Sequence, residues 1–317
     1  MNEEKYSKTE ETCSQTEEPV KKKSKKKRGG LTSTLTLIAL LLIGMGILLY
    51  PTLSNWWNSM TSTQAVATYK EAVEDMTVKE RALMLEAARV YNERLSEVGT
   101  SYKLSDAELA EYRSLLDITG TGIMGYLQIP AISVNLPIYH TTEESVLQSA
   151  VGHLAGSSLP IGGESTHAAL SGHRGLPSAR LFTDLDRMRE GDIFTITVFD
   201  QTVTYMVDQI RIVLPHEVDD LQIVEGADYC TLITCTPYGV NTHRMLVRGV
   251  RIENLPEDAI EVNPDANKLP TFYAMFGVGI PLLFILLVIM LVVSRKRKPK
   301  KSHDEILNEI LNDYKKS

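Results

Sequence analysis

The chain has 317 residues, 43% hydrophobic and 23% charged, with a formal net charge of −7. Residues 51–270 alone carry 16 Lys+Arg against 30 Asp+Glu, a balance of −14. Such a surface argues against nucleic acid or any other polyanion as a partner. It leaves room for one domain with a sizeable core.

Residues 1–30 are polar and rich in Glu, Lys, Ser and Thr, as in a disordered tail. Residues 31–50 then run without a charge, and twenty helical residues span roughly 30 Å, one bilayer core. Trp56 and Trp57 follow, where interfacial aromatics belong. A second uncharged run covers 271–294. Lys21–Lys23, Lys25–Lys27 and Arg28 precede the first run; Arg295–Lys298, Lys300 and Lys301 follow the second. Positive residues stay inside, so both termini are expected in the cytoplasm and 51–270 outside, with membrane lipid as a partner. The competing reading of 31–50 is a cleaved signal peptide, but no A-x-A-like site follows it directly.

Between the two runs the pattern changes once. Residues 51–120 read as a helical stalk. Val73, Met76, Leu83, Leu85, Ala87, Val90, Tyr91 and Leu95 recur at three- and four-residue steps, predicting a helix over 61–97. Ser105 and Glu108 have capping-box spacing and open a second helix after the loop Gly99–Lys103. From 121 to 255 short β-rich runs alternate with turns. Strands are predicted near 125–129, 134–139, 167–172, 193–199, 202–213, 229–235 and 244–252. A short helix is expected within 145–152 and a hairpin turn at Asp200-Gln201. Seven or more short strands point to a mainly β fold, a closed barrel with N-terminal helices, flanked by two transmembrane helices. Residues 256–270 are then a linker and 295–317 a second cytoplasmic tail.

Residues 228–244 read DYCTLITCTPYGVNTHR. Cys235 closes an apolar run, and Arg244 opens the next one nine positions later. Upstream, Ser171-Gly172-His173-Arg174-Gly175 sets a histidine on a glycine-flanked turn. A thiol, an imidazole and a guanidinium are the parts for acyl transfer through a thioester. His173 is the candidate general acid, then base. Arg244 stays charged, so it is no base, but it can hold a carbonyl and a developing oxyanion. Cys230 and Cys235 lie five apart on one predicted strand, about 16 Å if extended, too far for a disulfide. His140, His153, His167 and His243 read as structural. None shows metal-ligand spacing with the cysteines, so no metal or cofactor is assigned.

At this point the pattern resembles a known family. TLITCTPYGVNTHRMLVRG is similar to the segment around the active cysteine and arginine of sortases, and LSGHRGLPSARLFTDLD to that around their histidine. GIMGYLQIPAISVNLPIY and VGHLAGSSLPIGG resemble the opening strands of their barrel. The TPYGVNTHR loop and the second apolar run resemble class C, the pilin-polymerising sortases. The resemblance spans roughly 120–252.

The resemblance implies a β-barrel transpeptidase with His173, Cys235 and Arg244 as catalytic residues. It implies partners carrying an LPXTG-like sorting signal, cleaved between Thr and Gly, and a pilin lysine as acceptor. The competing acceptor is a cell-wall precursor amine, as in a housekeeping sortase; the competing class is a non-catalytic pilus-assembly scaffold. Many class C sortases carry a lid with Asp-Pro and an aromatic. Residues 92–120 contain no Asp-Pro, and Tyr102 is the candidate for part of that role.

Overall fold

The computed structural model describes residues 29–255 and 303–315, with four further helical positions at Ile280, Phe284, Leu287 and Val288. Among these residues one helical stretch, Ile38–Asp75, is long and apolar enough to cross a membrane. That stretch overlaps the first of the two expected spans. The second run, 271–294, lies largely outside the described residues, as do the basic segments 1–28 and 295–302.

Helix α1 covers Gly29–Asp75, α2 Val78–Val98 and α3 Asp106–Ser114. The continuous helix expected over 61–97 is in fact interrupted at Met76–Thr77. Thr77 adopts an extended backbone, and its hydroxyl accepts from the Glu80 N–H while the Glu80 carboxylate accepts from the Thr77 N–H. This reciprocal cap satisfies helix-end donors and starts a new helix. Ser105 and Glu108 cap α3 in the same way, as their spacing predicts.

Eight strands close a barrel in the order β1-β2-β3-β4-β7-β8-β6-β5. They are β1 (Ile123–Ile129), β2 (Val134–His140), β3 (Val151–His153), β4 (Thr166–Ser171), β5 (Ile193–Val198), β6 (Gln201–Val213), β7 (Asp228–Thr236) and β8 (His243–Ile252). The pairs β2–β3 and β4–β7 are parallel and the others antiparallel. The added strand is β3. The helix expected over 145–152 is only one turn, α4 (Glu144–Leu147), before the chain re-enters the sheet. The β5–β6 turn sits at Phe199-Asp200, one residue earlier than expected; Phe199 takes the positive φ of 55°.

Alternation sorts the side chains. Leu127, Ile138, Leu170, Phe194, Ile196, Tyr205, Leu232 and Val247 fill the interior and are fully buried. The stalk helices are part of this packing. Tyr69 of α1 is fully buried; its hydroxyl donates to Met124 O at 3.1 Å and accepts from Phe199 N–H at 2.8 Å. Asn92 of α2 exchanges two bonds with the Leu159 backbone, at 3.1 and 2.7 Å.

Candidate active site

Cys235 is the penultimate residue of β7, and Arg244 is the second of β8. The two are partners across the antiparallel ladder, so both side chains leave the same face of the sheet. The turn between them is tight: Val240 and Asn241 N–H both donate to Pro237 O, at 3.1 and 3.0 Å. The Arg244 guanidinium is folded back onto this turn, donating to Asn241 O at 3.2 Å and His243 O at 3.1 Å.

His173 arrives from the neighbouring strand. β4 runs parallel to β7 with Ser171 opposite Ile233, and Gly172 N–H extends the ladder to Ile233 O at 3.0 Å. The Thr234 hydroxyl donates to Gly172 O at 2.8 Å. Thus the last rung before His173 is fixed to the two residues before Cys235. Glycine is required at 172 because a Cβ there would lie 2.7 Å from the Phe182 ring. The Phe182 N–H in turn donates to His173 O at 3.1 Å. The ladder therefore carries the sequence-predicted trio to one end of three adjacent strands, β4, β7 and β8. Cys235 is partly exposed, as is His173.

The other cysteine belongs to the opposite face. Cys230 is fully buried among the barrel's apolar side chains, and burial pushes its thiol well above the usual range. Both cysteines are free. His153 and His167 are buried and hydrogen-bonded, as expected of structural histidines. His153 Nε2 lies 2.8 Å from Ser158 O and Nδ1 2.9 Å from the Tyr112 hydroxyl. His167 lies 2.8 Å from both Gln222 O and Thr231 Oγ1. His140 bridges Gly122 O and Leu115 O, and His243 lies beside the Thr242 hydroxyl.

Three sets of contacts at the site have no counterpart in the sequence reading. Glu144 Oε2 lies 3.2 Å from His173 Nε2, across 29 residues of chain. The Arg174 side chain is 9% exposed and pairs with Asp186, reaches the Thr236 hydroxyl at 3.3 Å, and lies over the Tyr238 ring at 5.8 Å. On α1, Asn55 Oδ1 accepts from Arg180 N–H and Asn58 donates to Ser178 O, both at 2.8 Å, pinning the loop that follows His173. Only Arg174 had a signal, its place beside His173.

On the outer face, Ala169, Leu221, Ile233 and Leu246 form a small apolar cluster on which Tyr102 packs, its hydroxyl donating to Leu221 O at 3.0 Å. Ile233 precedes Cys235 by two positions and so shares its face. A separate cavity of about 700 Å³, lined by none of the trio, is walled by α1 (Asn58, Ser62), Asn135, Leu176, Arg180 and Tyr238.

A closed β-barrel with a cysteine and an arginine on one rung and a histidine just past the end of the adjoining strand is the architecture of a barrel-type cysteine transpeptidase. Residues 127–252 match the family model described as the sortase domain. Sortase C1 from Streptococcus agalactiae is 52% identical, with 61% of this chain covering 100% of that chain at a TM-score of 0.60. Sortase C from Streptococcus pneumoniae, whose structure is described in terms of catalysis and pilin substrate specificity, is 42% identical (61% and 99%; TM-score 0.55). The sortase C of Clostridium perfringens, solved with the C-terminal cell wall sorting motif, is 37% identical (61% and 100%; TM-score 0.55). Among curated proteins, sortase A of Streptococcus agalactiae serotype III is 28% identical over 144 residues, 43% of this chain and 58% of that relative's length. The chain belongs to the sortase family of cysteine transpeptidases.

Proposed function

We propose that the chain is a membrane-tethered sortase of class C. It cleaves an LPXTG-like sorting signal between Thr and Gly and joins the threonine to a lysine amine of another pilin subunit. The Cys235 thiolate attacks the threonine carbonyl carbon, and Arg244 holds the oxyanion that forms. His173, protonated, gives its proton to the departing glycine amine, which leaves a thioester on Sγ. The lysine amine then attacks the same carbon. His173 takes the proton, the C–S bond breaks, and an isopeptide bond and free thiolate result. The observation that carries this reading is the rung pairing Cys235 with Arg244, beside a strand whose last ladder bond precedes His173.

Identity supports the class C assignment, since 52% to a sortase C1 stands against 28% to a sortase A. An apolar cluster and a separate cavity support a two-substrate reaction. The apolar cluster beside Ile233 suits the Leu-Pro part of the donor signal, and the cavity behind Tyr238 gives the acceptor a separate approach. To turn over, Arg244 exchanges its own turn carbonyls for the substrate's.

The test incubates the full chain in membranes with an LPXTG-type peptide and two acceptors, a lysine-bearing pilin fragment and a cell-wall precursor amine. The expected product by mass spectrometry is the lysine isopeptide, with a thioester trapped on Cys235 and none on Cys235→Ala. Preference for the cell-wall amine would convert the reading to a housekeeping sortase. Retained assembly by Cys235→Ala would convert it to a scaffold.

A further inference from the structure

We infer that Glu144 is a positioning residue for catalysis, a carboxylate that fixes the proton of His173 on Nε2 and leaves Nδ1 to exchange protons with the reacting groups. The inference rests on the proposed role of His173.

The geometry is built from two sides. Glu144 opens α4, in the connection that leads from β2 to β3. β3 pairs antiparallel with β4, Gly152 opposite Ser171, which brings this connection to the end of β4 where His173 begins its turn. Each Glu144 carboxylate oxygen has its own partner. Oε1 accepts from Gln148 Nε2 at 2.8 Å, and Oε2 faces His173 Nε2 at 3.2 Å. The preceding carboxylate, Glu143, is turned away onto Arg113. The two neighbouring acids are thereby divided, and one is held for the imidazole.

A carboxylate accepts only, so His173 Nε2 must carry the hydrogen in that contact. In the neutral ring Nδ1 is then the base; in the protonated ring Nδ1–H is the acid. This is the arrangement of a base oriented by a third group. It has a second effect. When the ring carries its second proton, the carboxylate beside Nε2 balances that charge. The other charged or titratable groups around the ring's neighbours are Arg174, already paired with Asp186, and Cys235 and Arg244 across the site. The contact with Gln148, and after it that with His173, holds the Glu144 carboxyl below the usual range.

The experiment compares Glu144→Gln, Glu144→Asp, Gln148→Ala and His173→Ala in the full chain. The probe is a fluorogenic LPXTG-type peptide with a lysine-bearing peptide as acceptor, over pH 5.5 to 9.5. Glu144→Gln is expected to lower kcat/KM by roughly two- to fivefold, the range for a partly exposed ion pair. It also moves the basic limb of the pH profile to lower pH, with the peptide KM and the melting temperature unchanged. Glu144→Asp, which keeps the charge, restores part of the limb, and Gln148→Ala gives a smaller shift in the same direction. An unmoved basic limb in Glu144→Gln, with His173→Ala inactive, overturns the inference and leaves the sortase reading intact. An active His173→Ala overturns both.

Discussion

Arg174 reaches from the residue after His173 to the hydroxyl of Thr236, the residue after Cys235, at 3.3 Å. The same guanidinium pairs with Asp186 and lies over Tyr238. It therefore staples the histidine-bearing turn to the cysteine-bearing strand end. Arg174→Ala is expected to lose about 1 kcal/mol of stability, because the buried Thr236 hydroxyl loses a donor while Asp186, which is exposed, turns to water. It should also cut turnover more than it changes the KM for the donor peptide. Arg174→Lys should recover little, since one ammonium cannot serve both acceptors and the ring. Urea unfolding and steady-state kinetics check both points.

Tyr102 lies on the apolar cluster that adjoins Cys235, and Gly156 leaves room for its loop: a Cβ there would meet Ser101 O at 2.0 Å. Tyr102→Ala uncovers Ala169, Leu221, Ile233 and Leu246. The expected outcome is a severalfold lower KM for the sorting peptide and little change in kcat. A raised KM instead would mean that Tyr102 forms part of the binding wall. Tyr102→Phe, which removes the hydroxyl and its bond to Leu221, should cost about 1 kcal/mol.

The two barrel cysteines should react very differently. Cys235 is partly exposed, whereas Cys230 is fully buried and its thiol is held protonated by burial. Iodoacetamide at pH 8 on the folded protein is expected to modify Cys235 while sparing Cys230. Peptide mapping before and after denaturation reads the difference, and labelling of Cys230 in the folded state would contradict its burial.

His153 predicts how stability follows pH. Complete burial pushes its pKa down to about 4 from an ordinary 6.5. Below 6.5 the unfolded chain takes up a proton that the folded chain refuses. The stabilisation is thus complete above about pH 6.5 and is lost as pH falls toward 4, by roughly 3 kcal/mol at most. His167, lowered by burial in the same direction, adds to the trend. Urea midpoints at pH 7.5, 5.5 and 4.5 should fall in that order. His153→Gln should start lower and fall less steeply.

Much of the barrel was legible because its strands announce themselves locally. The run TLIT before Cys235 and the run after Arg244 are β-rich, and Pro237 and Gly239 mark the turn between them. Hence the Cys235–Arg244 rung follows from strand and turn patterning alone. β3 was not legible: three residues, Val151–His153, are too few to show a period, and their place depends on β4 and β2 on either side. The break at Thr77 is masked because the apolar spacing continues across it, although Thr77 and Glu80 have the same spacing as Ser105 and Glu108. Glu144 gave no signal at all. Nothing in the neighbourhood of a glutamate reveals an imidazole 29 residues away; only the β3–β4 pairing brings them together.

α1 is docked at two heights. Asn58 holds Ser178 O, and eleven residues later Tyr69 is locked between Met124 and Phe199. Those positions lie about 16 Å apart along the axis, and each residue advances the helix by about 100° of rotation. The segment between them therefore works as a ruler with a phase. One inserted residue would swing one dock far off its target while leaving the other seated. Length changes in this stretch are tolerable only in near-whole turns, and the fold's freedom to grow lies in its surface loops instead.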